Sequence, residues 1–96
     1  MRKSKPMRAP TPVSASLDDL EPGDQALVAE VSPPHELSAW TAWLTSLGFE
    51  PGEPVRLLSR ARPGGDPLCV RVGGSTYALR RAEAACIRVW REVAHR

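Results

Sequence analysis

Leu47-Gly48-Phe49-Glu50-Pro51-Gly52 puts two glycines and a proline between two segments of quite different patterning. Before it, Leu37, Trp40, Leu44 and Leu47 recur at helical spacing, which predicts a helix over residues 35–47. After it, residues 55–60 read as a strand. Gly48 stands where a helix ends in a left-handed residue, a conformation that glycine takes without a Cβ penalty. Phe49 is then the apolar residue that folds back to close the helix end. Pro51-Gly52 forms a second turn, with proline fixing φ at its first central position and glycine accepting positive φ at the next. The junction therefore aims the following strand back across the helix.

Upstream, residues 26–31 form a strand pattern in which Ala26, Val28 and Glu30 face away from Leu27, Ala29 and Val31. Ser32-Pro33-Pro34 stops that strand, and a serine before proline is a good helix start. Ser16-Leu17-Asp18-Asp19-Leu20 suits a short helical turn, and Glu21-Pro22-Gly23-Asp24 a tight one. Downstream, Leu68, Val70 and Val72 alternate with Cys69 and Arg71, and Gly73-Gly74 is a two-residue hairpin signal leading into residues 75–79. Residues 80–85 suit a helical turn, and Ile87 and Val89 belong to a last strand running towards Val93. The expected fold is mainly β: a small, partly open, five-stranded barrel of the SH3-like kind, with one inserted helix and short helical turns.

At 96 residues the chain is one domain, and a domain this size buries only about 60–65% of the surface it exposes when unfolded, which argues against a deep enzyme cleft. The first fifteen residues carry Arg2, Lys3, Lys5 and Arg8, no acid, and three prolines. They read as a disordered basic arm, residues 1–15, ahead of a folded body, residues 16–93. Residues 16–55 hold eight acids and no base, whereas residues 56–96 hold nine arginines against three acids. In a folded barrel these halves offset each other, so the asymmetry is read first as intramolecular complementarity. No apolar run follows the basic start to make a signal peptide, and no stretch is long enough for a membrane span. The expectation is a cytoplasmic protein without membrane insertion, with Cys69 and Cys86 reduced.

Three blocks, taken in order, resemble the FeoA family. They are Leu44-x-x-Leu47-Gly48-Phe49-x-Pro51-Gly52-x-x-Val55, then Gly65-Asp66-Pro67-Leu68-x-Val70-x-Val72-x-Gly74, then Ala78-Leu79-Arg80-Arg81-x-Glu83-Ala84-x-x-Ile87-x-Val89. The resemblance covers residues 16 to 91. It implies a small cytosolic SH3-like protein of bacterial ferrous iron uptake that acts by contact with the membrane GTPase-permease FeoB. It brings no catalytic residues, because the matched positions are turn glycines, prolines and core aliphatics. The same domain ends some iron-dependent repressors, so the alternative is a metal-responsive regulatory domain, although no helix-turn-helix segment is present to read DNA.

The candidate chemistry is sparse. His35-Glu36 begins like a zinc-protease helix, but Ala39 stands where the second histidine belongs. His35 and Glu36 remain the metal candidates, for a divalent ion such as Fe or Zn, while no cofactor is required. Trp43 lies about 80° from the centre of the helix stripe at 100° per residue, and Trp90 shares a strand face with Arg88 rather than with Ile87 and Val89. With Leu47, these tryptophans are the candidate partner contacts, and a weak homodimer is a further expectation. Gly48, Pro51, Gly52, Gly73 and Gly74 are turn residues. Arginines alternating with core residues mark solvated strand faces, so no nucleic-acid partner is expected. No nucleophile-base pair, phosphate loop or carboxylate pair can be named, so the chain is read as non-enzymatic.

Overall fold

Helix α1 (Ala39–Leu47) ends at Gly48 with φ 118° and ψ 1° in the computed structural model, which describes residues 12–92. The Gly48 N–H donates to the Thr45 carbonyl at 2.9 Å and the Phe49 N–H to the Leu44 carbonyl at 3.2 Å. These are the paired bonds of a Schellman end, which satisfy carbonyls the helix itself leaves free. A Cβ on Gly48 would lie 3.6 Å from Val72 Cγ1, an ordinary contact, so glycine is required by the backbone angle and not by space. Phe49 is fully buried and meets the half-buried Tyr77 at a tilted 6.3 Å.

The Pro51-Gly52 turn is then tied to the sheet. Gly52 N–H donates to the Val28 carbonyl at 2.8 Å, and Val28 N–H donates to Glu53 O at 2.9 Å. These bonds extend the ladder between β2 (Gln25–Val31) and β3 (Pro54–Arg60), where Gln25, Ala26 and Leu27 oppose Arg56, Val55 and Pro54. Strands β4 (Leu68–Val72) and β5 (Ser75–Leu79) form the hairpin expected at Gly73-Gly74. Of the two glycines, Gly73 alone has positive φ, at 59°, the pattern of a type II′ turn.

The sheet is open and antiparallel, and it has six strands in the order β1-β6-β2-β3-β4-β5, one more than expected. The additional strand is β1 (Pro12–Ser16), which pairs with β6 (Ile87–Glu92) from Pro12 opposite Glu92 to Ser16 opposite Arg88. The folded body thus begins before Ser16, and the expected arm boundary at residue 15 is corrected. Residues 1–11 and Val93 lie outside the described residues. Pro12 is tolerated because it opens an edge strand, where a missing donor breaks no inner ladder. What makes 12–16 a strand is the free edge of β6, a partner 70 residues or more away in sequence.

Register shifts at Val28/Glu30 and at Leu57/Ser59 mark bulges, which raise the local twist and curl the sheet around its apolar face. Leu17, Val28, Leu57, Val70, Ile87 and Val89 are among the residues buried there, together with Leu44 from α1. The bulge in β2 also breaks its simple alternation, so that Val31 returns to pack against the core. The expected helix over 35–47 divides into a 3-10 turn (His35–Leu37) and α1. Ser32 does not cap it: its N–H donates to the Cys86 carbonyl at 2.7 Å, and the turn opens at Pro34 without a side-chain cap. Leu37 consequently leaves the apolar stripe and is exposed. The short α2 (Arg81–Ala84) and the 3-10 turn Leu17–Asp19 occur where expected.

Opposite charges in the two halves meet where the chain closes. Asp18 Oδ1 accepts from Arg60 Nη1 at 3.0 Å and from Arg81 Nε at 3.3 Å. Arg60 Nη2 also donates to the backbone carbonyls of Asp18 and Leu20. Asp24 takes Arg91 at 3.5 Å. Each ion pair found among the described residues joins an acid from the first half to an arginine from the second. The Arg81 guanidinium is held above its ordinary pKa by its hydrogen bond to Asp18 and by that carboxylate's charge.

Two stability outcomes follow. Gly48→Ala is expected to cost about 1–2 kcal/mol, the penalty of a Cβ in a left-handed residue, seen as a lower urea midpoint at unchanged slope. Arg60→Ala, which takes one of two guanidinium partners from a mostly buried carboxylate and leaves the Asp18 and Leu20 carbonyls without their donor, is expected to cost about 1.5–3 kcal/mol, whereas Arg81→Ala, at the more exposed partner, is expected to cost distinctly less. Equal losses at the two arginines would show that Arg60 is not the closing clamp.

Candidate functional site

His35 and Glu36 sit side by side on the 3-10 turn before α1, both exposed. Among the described residues no three His, Cys, Asp or Glu side chains come together. A zinc site takes three protein ligands when catalytic and four when structural. The donors at this turn number two, so a metal held there needs others from outside the described residues or from a second molecule. His95 lies outside the described residues.

The thiols are also apart. Cys69 faces outward from β4, half-buried, while Cys86 is buried between α2 and β6 with its Sγ donating to the Ala82 carbonyl at 3.3 Å. Strands β2 and β3 separate β4 from β6, and both cysteines are free. Burial, and secondarily the Glu83 charge, push the Cys86 thiol above its ordinary pKa. It is therefore held protonated and is a poor nucleophile.

The tryptophans separate as their helix and strand positions demand. Trp40 packs against the core from α1, whereas Trp43 is 41% exposed. Leu47, one turn after Trp43, is half-buried against the core and has less surface to offer. Trp90 is 46% exposed on the outer face of β6. Leu27, equally exposed, lies directly opposite it on β2, and Pro54 lies opposite Leu27 on β3. Sequence patterning placed Trp90 on an outward face but did not find Leu27 or Pro54, since strand order and register bring them there. The turn residues Gly48, Pro51, Gly52, Gly73 and Gly74 set the chain reversals that flank these surfaces.

The arginines divide into two sets. Arg60, Arg81 and Arg91 are taken up in the ion pairs already described, and Arg88 donates to Ser14 Oγ at 3.1 Å. Arg56 and Arg71 are exposed on β3 and β4 and enter no ion pair among the described residues. Among the described residues the arrangement offers apolar and cationic surface, which suits binding. No helix among the described residues is long and apolar enough to cross a membrane.

Comparison with known proteins agrees with this geometry. The family model described as FeoA domain matches residues 15–91. The zinc-complexed FeoA of Stenotrophomonas maltophilia is 38% identical, with a TM-score of 0.70 over 77% of this chain and 87% of that one. FeoA of Chlorobium tepidum is 31% identical, with a TM-score of 0.69 over 84% of this chain and 73% of that one. The IdeR of T. acidophilum, 19% identical, shares the fold alone, with a TM-score of 0.67 over 94% of this chain and 37% of that one. No curated protein sequence matches. With four-fifths of its length covered by the family model and an SH3-like sheet to match, the chain belongs to the FeoA family, which is linked to ferrous iron transport.

Proposed function

We propose that this protein is a non-enzymatic, cytoplasmic accessory of bacterial ferrous iron uptake, working by contact with a FeoB-type membrane GTPase-permease. Family membership supports the transport link. The Stenotrophomonas maltophilia relative is itself described as a prokaryotic SH3 domain protein and a candidate ferrous iron transport activating factor. The observation that carries the contact reading is the exposure of large aromatic side chains, Trp43 at 41% and Trp90 at 46%, on a domain small enough to need its apolar residues inside. Tryptophan is over-represented among the residues that dominate binding energy at interfaces.

A metal-responsive regulatory role is the second reading, favoured by the zinc complex of that relative. Because His35 and Glu36 supply two donors from one turn, it takes the form of a metal-bridged, weak homodimer. Sedimentation with and without zinc tests it: a dimer that needs both zinc and His35 supports the reading, and a monomer throughout ends it.

The principal test is retention of the transporter's cytosolic GTPase domain by the immobilised full chain, with GTP turnover measured alongside. Binding is expected, with a changed turnover rate marking a regulator and an unchanged rate an assembly factor. Trp43→Ala is expected to weaken retention at least about tenfold, on the scale of an interface hot spot. Its melting temperature should move by less than about 4 °C, which corresponds to under ~1 kcal/mol in a domain this size. Parallel loss of retention and melting temperature would instead make Trp43 a lid over the core.

A further inference from the structure

The outward side chains of the sheet fall into rows set by strand register. One row runs Gln25, Arg56, Arg71, Thr76 across β2, β3, β4 and β5, each residue the Cα partner of the next. The next row runs Trp90, Leu27, Pro54 across β6, β2 and β3. Gln25 and Leu27, like Pro54 and Arg56, are two apart on one strand with a buried residue between them, so both rows share one face. Across the strands, from β6 to β4 is three spacings, about 14 Å, and the two rows lie two residues, about 7 Å, apart along the strands.

Two like charges directly opposite each other on neighbouring strands destabilise a sheet. Arg60, Arg81 and Arg91 are matched with carboxylates, but Arg56 and Arg71 face each other. Their described neighbours in the row are neutral: the Gln25 amide, oriented to satisfy both groups, accepts from the Arg56 guanidinium, and Thr76 stands opposite Arg71. Beside this doubled cation lie an exposed indole and leucine, each 46% accessible.

We propose that this face is a docking surface for an acidic segment of a protein partner, with Trp90 and Leu27 receiving its apolar side chains and Arg56 and Arg71 its carboxylates. Charge complementarity selects that occupant. Two opposed guanidiniums need two carboxylates to relieve their repulsion, and the apolar row beside them needs aliphatic groups at strand spacing from those acids. Nucleic acid fits less well, since an extended run of phosphates needs a cationic track, whereas this face offers two adjacent guanidiniums beside an apolar row. The proposal rests on the reading of the protein as a contact partner and names the surface used.

The full chain is titrated with two synthetic peptides, one alternating Glu and Val and one alternating Lys and Val, and with oligothymidylate. The Glu-Val peptide is expected to bind at least about tenfold more tightly than either, with affinity falling as salt rises. Arg56→Glu with Arg71→Glu should reverse the peptide preference, and Trp90→Ala should weaken the Glu-Val peptide about tenfold. Arg62→Glu, a charge reversal in the exposed β3–β4 loop, should change binding by less than about twofold, and thermal melts confirm that all variants fold. Equal binding of both peptides, indifference to the Arg56 and Arg71 reversal, or tighter binding of oligothymidylate overturns the proposal. The same variants are run against the transporter's GTPase domain. If wild type and the doubly reversed variant bind it alike, the surface is wrong and the partner reading survives; if the GTPase domain does not bind but the Glu-Val peptide does, the surface stands and that partner falls.

Discussion

A single backbone residue with positive φ holds this architecture together. At Gly48 the helix ends, the Phe49 amide turns back to the Leu44 carbonyl, and the Phe49 ring enters the core between helix and sheet. Full burial of such a side chain stabilises by about 1.5–3 kcal/mol, a large share of the margin on which a small domain survives. The same reversal brings Gly52 and Glu53 onto Val28, so the helix end and the β2–β3 ladder form as one unit. Remove the left-handed residue and the register of β3 loses its anchor. With it would go the placement of Pro54 and Arg56 on the outer face.

Charge is distributed with a comparable division of labour. Asp18 collects Arg60 and Arg81 at the point where the Leu17–Asp19 turn meets β3 and α2, and Arg60 reaches two carbonyls besides. Asp18 and Arg60 are low in solvent exposure and close the end of the sheet, so their role is structural. Arg56 and Arg71 are the counterexample, exposed and opposed. A fold that neutralises arginine with nearby carboxylate at Asp18 and Asp24, yet sets two arginines face to face beside an exposed tryptophan, has a surface suited to an acidic partner.

Elements governed by local chemistry were legible in the sequence. The Gly48 helix end, the Gly73-Gly74 hairpin and the β4 alternation are each dictated by residues within a few positions of one another, and each occurs as read. Trp43 and Trp90 were assigned outward faces by periodicity alone, and their exposure agrees. The misreadings share a cause. Strand β1 depends on the β6 edge far along the chain, Ser32 is drawn from a helix cap to Cys86, and Leu37 is turned outward by the 3-10 geometry after Pro33-Pro34. The opposition of Arg56 to Arg71 likewise depends on register between two strands joined by a seven-residue loop, which no local pattern encodes.

The function proposed for this domain is recognition by an outer face, carried by Trp90, Leu27, Arg56 and Arg71. Isotope-labelled NMR of the full chain titrated with the transporter's GTPase domain tests that most directly. The account predicts that the Trp90 indole N–H and the backbone amides of Leu27, Arg56 and Arg71 shift or broaden together, while those around Asp18 and Arg60 stay in place. Perturbations confined to the Asp18 end, or spread evenly over the molecule, would contradict it.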